Sequence, residues 1–374
     1  MWAKKIKTKL VYFTSWRVDP TGAAALEQFE REWPYLKKGE TPPPIELGDG
    51  CRLHQLVNQF LASKDGRLKT GGLSTRTFQQ YYQSCARLIA HFGRERLVGD
   101  LRPNDFRAYR VKLAETFKSP KSLKGEIIVV RTIFRFGEDT NLITRVNFGQ
   151  DFDAPSAKAI RRARNIKGPK VFEPEEIKRI LDAADVQLRA MTLLGLQAGL
   201  GNSDLAALRE SHIDFASGWL TMPRVKTEIV RRIPLWKETQ AALKAVLAAR
   251  PDTGDDLIFL TRCRQPWVRV SVKMDDEGKE TYVHTDSISH AFHKLLKKLS
   301  INGQRGFYCL RHCLETFGGE CRDQAATDSL MGHAPDARDM SAHYRHRISD
   351  ERLQAVTDAV YTWLFGDAKE GGAK

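Results

Sequence analysis

Apolar residues recur at helical spacing along most of this chain. Leu53, Leu56, Val57, Phe60 and Leu61 fall at i, i+3, i+4, i+7 and i+8, which predicts an amphipathic helix. Ser74-Thr75 opens a second, carrying Phe78, Tyr81, Tyr82, Cys85, Leu88, Ile89 and Phe92, and Gly93 is its stop signal. A third starts at Leu101–Phe106 with Asp105 in its first turn. Ile127, Val130, Arg131, Phe134 and Arg135 predict a fourth, apolar on one side and basic on another. Residues 51–150 therefore read as a small helical bundle. Before it, residues 1–50 predict a strand over Lys9–Trp16, a helix over Ala23–Lys37 and an extended linker at Pro42–Pro44.

The pattern changes after residue 170. Pro174, Glu175 and Glu176 open a helix with Ile177, Ile180, Leu181 and Ala184 on one face, and a second runs from Val186 to Ala198 and stops at Gly199. Trp219–Met222 and Ile229–Leu235 read as strands around a turn containing Lys226-Thr227. Strand alternation sends Arg231 and Arg232 to opposite faces. A helix over Lys237–Arg250, a short strand over Leu257–Leu260 and a charged loop over 262–284 follow. Thr285–Leu299 is amphipathic. Its polar face carries His290, His293, Lys294, Lys297 and Lys298, and with no carboxylate partner it reads as a phosphate-facing surface, not a metal site. Ser349–Phe365 ends the pattern with a stripe of Leu353, Val356, Val360, Trp363 and Leu364, which must be buried on this domain or on another protomer. The expected class is mainly α with a small β-sheet.

Charge adds a partner to this picture. The 374 residues, enough for two domains, carry a net charge of +14. That balance calls for a polyanion: nucleic acid or an acidic membrane surface. No apolar run approaches the roughly 20 residues of a membrane span, and no signal-peptide core follows the basic N-terminus, so a cytoplasmic protein is expected. Lys158, Arg161, Arg162, Arg164, Lys167 and Lys170 concentrate charge in 151–170, with no acid after Asp153. Such a charge run is often only solvated, but between two candidate DNA-binding domains it would lie along phosphates. The six cysteines are scattered and read as reduced thiols. Cys309 and Cys313 share a helix face that excludes His312, which argues against zinc.

The candidate chemistry lies in 307–346: Tyr308-Cys309-Leu310-Arg311-His312, then Met331-Gly332-His333, then His343-Tyr344-Arg345-His346. A guanidinium can fork two phosphate oxygens, histidines can donate to them or move protons, and a tyrosine hydroxyl can be the nucleophile. In order and spacing this run resembles the signature of the tyrosine recombinases, the phage integrase family. The matching residues are Tyr308, Arg311, His312, Gly332, His333, Tyr344 and His346. Tyr308 stands where that family usually has histidine, and the loop from His333 to Tyr344 is slightly longer than usual. Gly199-Leu200-Gly201-Asn202-Ser203-Asp204-Leu205 resembles the family stretch G-L-R-x-x-E-L, with Gly201 at the arginine and Asp204 at the acid. Lys226 matches the family's hairpin lysine.

The resemblance implies a helical core-binding (SAM-like) domain over 51–150, a basic linker over 151–170, an α+β catalytic domain over 171–366 and a disordered tail over 367–374. It leaves 1–50 as either an arm-type DNA-binding segment or an extension packed on the next domain. It implies Tyr344 as nucleophile, Lys226 protonating the leaving 5′ hydroxyl, Arg311 and His333 on the phosphate, and His312 supporting or moving protons. Double-stranded DNA is the implied partner, in a homotetramer on paired sites, with no cofactor or metal. Loss of a phosphate-clamping arginine costs roughly 10³–10⁵ in rate. An active site would therefore need a substitute for Gly201. Arg231 and Arg232 are the candidates, and Tyr308 adds one neutral donor. The alternatives are a DNA-binding, architectural relative that does not cut, and strand nicking and resealing of the type IB topoisomerase kind.

Overall fold

A computed structural model describes residues 1–6, 9–13, 21–40, 50–251, 254–274, 280–301, 303–334 and 346–366. They fall into two compact units, one holding 1–63, 84–113 and 126–153, the other 64–83, 114–125 and 154–374.

The first unit opens with a hairpin, β1 (Ala3–Ile6) antiparallel to β2 (Lys9–Tyr12), and helix α1 (Ala23–Lys38). Ile6, Phe13 and Ala25 make a small core there, with Val11, Phe29 and Leu36 against it. The lysines of β1 hide its strand character from a reading based on apolar alternation. The expected strand end at Thr14–Trp16 lies outside the described residues. Four helices follow as expected: α2 (Leu53–Lys69), α3 (Thr75–Phe92), α4 (Pro103–Thr116) and α5 (Pro120–Asp139). The core of this unit is aromatic, with Phe60, Phe106, Tyr109, Phe134 and Phe152 at most 1% exposed. Glu126 is buried among these helices, where Ser84 Oγ and the Nε and Nη2 of Arg87 donate to it at 2.8–2.9 Å.

The basic stretch after Asp153 is itself helical. Ser156 Oγ accepts from Ala159 N and caps α6 (Ala157–Ile166), no residue of which is buried.

The second unit contains α7 (Pro174–Ala183), α8 (Val186–Gln197), α9 (Asn202–Ala206), β3 (Ile213–Asp214), β4 (Trp219–Pro223), β5 (Val230–Pro234) and α10 (Lys237–Ala249). Next come β6 (Val268–Met274), β7 (Glu280–Asp286), α11 (Ser287–Lys298), α12 (Cys309–Cys313) with a π-turn over Leu314–Gly318, α13 (Gln324–Met331) and α14 (Asp350–Phe365). Strands β3, β4 and β5 form one antiparallel sheet in that order, with Met222 opposite Arg231 and Thr221 opposite Arg232. Nine of the twelve residues of α8 are buried, so this helix is the centre of the core.

Two expectations are corrected. Leu257–Leu260 is buried but forms only isolated bridges, Leu257 with Arg209 and Leu260 with Pro266; its apolarity reflects burial without strand pairing. The stretch expected as a loop over 262–284 contains the β6–β7 hairpin, paired from Val268↔Asp286 to Met274↔Glu280. Its alternation of Val with Arg, Ser and Lys is a strand pattern that net polarity concealed. The stripe of α14 settles on its own unit: Leu353, Val356, Val360 and Leu364 are at most 2% exposed within the same core as α7, α8 and α13. Among the described residues no helix is long and apolar enough to cross a membrane.

Candidate active site

Two glycine turns build the floor of the site. Gly199 ends α8 with φ +60°, and a Cβ there would lie 2.9 Å from Leu314 and 3.4 Å from Arg311 Nη1. Arg311, 3% exposed on α12, donates from Nη1 to Gly199 O at 2.5 Å and from Nη2 to Met331 O at 2.7 Å. Its plane is thereby fixed, with further N–H groups left to meet an anion. Burial and then the charge of Arg224 push the Arg311 guanidinium down to about 10.

The second turn, at the end of α13, carries His333. Gly332 N donates to Ser329 O and His333 N to Asp328 O, a helix end that needs a left-handed residue; Gly332 has φ +61°. A Cβ on Gly332 would also come within 2.9 Å of Arg231 Cδ and 3.1 Å of Arg224 Cδ. His333 Nδ1 lies 2.9 Å from Asp328 Oδ1. With Nδ1 protonated, that carboxylate accepts from the ring and leaves Nε2 for another partner. The expected site set did not include Asp328. The spacing of five residues across a helix end is the only sequence signal for it.

Lys226 is exposed in the β4–β5 turn, which is pinned at three points. Val225 N donates to Asp204 Oδ1 at 3.1 Å, and Arg224 Nη1 and Thr227 Oγ1 both donate to Gly332 O, at 3.0 and 3.1 Å. The lysine turn and the His333 turn therefore share one carbonyl. Asp204 is buried at the start of α9, where its other oxygen accepts from Gly201 N at 3.1 Å and from Arg231 Nη1 at 3.3 Å. Arg231 is fully buried, and its Nε and Nη2 have no hydrogen-bond partner among the described residues. Three guanidinium groups, on Arg224, Arg231 and Arg311, thus gather about one carboxylate, Asp204. Such an excess of buried positive charge suits a phosphate.

At Gly201 the backbone is extended (φ −84°, ψ 170°), and a Cβ would meet only Asp204 Oδ2, at 3.7 Å. Of the two candidate substitutes, Arg231 lies in this cluster. Arg232 lies on the other face of β5, forked onto Asp350 at 2.8 and 2.9 Å with its guanidinium 4.1 Å from the Trp219 ring centre. Tyr308 is exposed, edge-on to His312 at 5.5 Å. His312 is at the surface. Partial desolvation, then Lys170, Arg164 and Arg311, hold its imidazole below the ordinary histidine range. Arg164 and Lys170 thus lie within electrostatic reach of the site. Lys158, Arg161 and Arg162 are on α6 and Lys167 is its C-cap, all solvated. Tyr344 lies outside the described residues, and His346, the first residue described after it, is exposed.

Glu315, Asp328 and His333 offer ligand atoms within 4.8 Å of one another, the arrangement here closest to a cation site. The amide of Gln324 already donates to both carboxylates, at 3.1 and 3.2 Å, and Asp328 holds the histidine.

Residues 170–350 match the model of the phage integrase family. The chain is 28% identical over 208 residues to the tyrosine recombinase XerC of Yersinia pestis, covering 52% of this chain and 60% of that protein. It is 24% identical over 211 residues to the tyrosine recombinase XerA of Thermococcus onnurineus, covering 56% and 68%. Among solved structures, a lambda integrase dimer bound to a COC′ core site aligns with TM-score 0.58 at 17% identity, over 80% of this chain and all of that one. The Tn1549 transposon integrase with transposon right end DNA aligns at 0.57 and 15%, over 82% and 99%. The fold is that of these integrases, and residues 170–350 of the chain form a phage integrase family domain.

Proposed function

We propose that this protein is a site-specific DNA recombinase that cuts and rejoins DNA through a phosphotyrosyl intermediate. The observation that carries the reading is the convergence of Arg224, Arg231 and Arg311 on the two turns that hold Gly199 and His333, beside the Lys226 turn. In this reading the Tyr344 oxygen attacks the scissile phosphorus, the phosphorus–oxygen bond to the 5′ carbon's oxygen breaks, and Lys226 gives that oxygen a proton. Arg311 and His333 hold the non-bridging oxygens, where charge builds in the transition state. His312, kept neutral by its surroundings, can accept the tyrosine proton. The covalent link conserves the bond energy, and a hydroxyl from the partner strand reverses the step. Exchange between two duplexes requires four such sites, hence a homotetramer on paired DNA; a lambda integrase tetramer bound to a Holliday junction has the same fold, with TM-score 0.58. The solvated cations of α6 and its flanks serve the DNA backbone.

Gly201 favours a second reading, a relative that binds DNA without cutting. A nicked duplex carrying the protein's own crossover sequence separates the two. The wild-type protein should form a denaturant-resistant adduct and Tyr344→Phe none, since it lacks the attacking oxygen. DNA binding by the wild type with no adduct would leave the non-cutting reading standing.

A further inference from the structure

We propose that Arg224 is the residue that meets the scissile phosphate in place of the arginine missing at Gly201. The proposal rests on the phosphate-site reading above and adds a ligand to it.

The backbone fixes where Arg224 stands. Its N–H donates to Ile229 O at 2.8 Å and its carbonyl accepts from Thr227 N and Glu228 N, closing the turn that carries Lys226. The side chain runs over Gly332, where only a glycine leaves room for it, and Nη1 is anchored to Gly332 O. That places the guanidinium beside His333. Among the described residues Nε and Nη2 of Arg224 make no hydrogen bond, and the side chain is half-buried. The guanidinium groups of Arg224 and Arg311 donate to adjacent carbonyls, Arg224 to Gly332 O and Arg311 to Met331 O. Like charges held this close are costly until an anion bridges them.

The other hairpin arginines are less suited to contact. Arg231 is wholly buried, so it acts on a ligand through its field and not by touch. Arg232 is engaged by Asp350. Asp204 ties the residue next to Arg224 to Gly201, accepting from both Val225 N and Gly201 N.

The probe is inorganic phosphate, titrated against melting temperature at constant ionic strength in chloride, a reading independent of cleavage. Arg224→Gln should raise the half-saturating phosphate about 10- to 100-fold, the worth of a charge-assisted contact. Arg224→Met keeps the stem over Gly332 and should do the same if the glutamine variant folds poorly. Arg232→Gln should leave the value unchanged. Adding Gly201→Arg to Arg224→Gln should restore it, because the open Cβ position at Gly201 admits a side chain. An unchanged value in both Arg224 variants, an equal rise in Arg232→Gln, or no phosphate-dependent shift in the wild type would overturn the proposal. Phosphate binding through Arg224 in a protein that forms no Tyr344 adduct would instead overturn the cutting reaction and leave Arg224 as the phosphate ligand.

Discussion

Arg231 and Arg232 are neighbours on β5 with the same side chain and opposite fates. Arg231 is fully buried against Asp204, with two nitrogens unpartnered. Arg232 is half exposed, forks onto Asp350 with good geometry and stacks over Trp219. By hydrogen bonding alone, the outer arginine is the better satisfied. Burial without full pairing disfavours the charged form, and Arg231 is shifted down for that reason, while the Asp350 contact shifts Arg232 up. A stable fold gains little from the inner arrangement. A site that must receive a doubly oxygenated anion gains a fixed field that needs no rearrangement at the moment of binding.

The largest effect should come from breaking the inner pair. Asp204→Ala leaves Arg231 buried with no acid and frees the N–H groups of Gly201 and Val225. Urea unfolding should show a loss of about 3–5 kcal/mol, the usual result of removing one partner of a buried pair. A loss under about 1 kcal/mol would mean that Arg231 is solvated in the folded protein, and the contrast between the two faces would collapse.

Sequence pattern carried the helices well because α2, α3, α5, α7 and α11 each bury one stripe. It failed where burial and pairing part company. Leu257–Leu260 is apolar because it lies in the core, and β6 is paired despite its charges. In the site, the residue types at Arg311, His333 and Lys226 were legible as an ordered signature, and alternation separated Arg231 from Arg232. What no one-dimensional pattern held was the shared Gly332 carbonyl. It brings Arg224 and Thr227 to a turn more than a hundred residues away in the chain. Asp328 was hidden for a similar reason: its partner is set by how α13 ends, not by a helical repeat.

The outer face of β5 leads to α14, whose first residue is Asp350 and whose stripe begins at Leu353. Leu353→Ala should cost about 2–5 kcal/mol in the isolated protein, as a large-to-small change at a site 2% exposed. Sedimentation of the free protein should be unaltered. Full stability with loss of assembly on paired DNA would show that the stripe serves a neighbouring copy instead.

Arg232→Gln should have the smallest effect on stability and is useful because its two contacts respond differently to pH. The fork to Asp350 is exposed and should contribute no more than about 1 kcal/mol. The hydrogen bonds from Arg232 hold the Asp350 carboxyl below its ordinary value of 3.8. A depressed carboxylate contributes its stability above the unfolded value and loses it as pH falls through the folded one. The ion-pair part of the difference between wild type and variant should therefore be constant from neutral pH to about pH 5 and vanish in stronger acid. The stacking of the guanidinium over Trp219, 4.1 Å from the ring centre, involves no titrating group in that range and should persist. A difference that disappears entirely in acid assigns the outer face to Asp350, and one that does not change with pH assigns it to Trp219. Either result leaves Arg231 untouched, since the acid it contacts, Asp204, is buried on the opposite side of the strand.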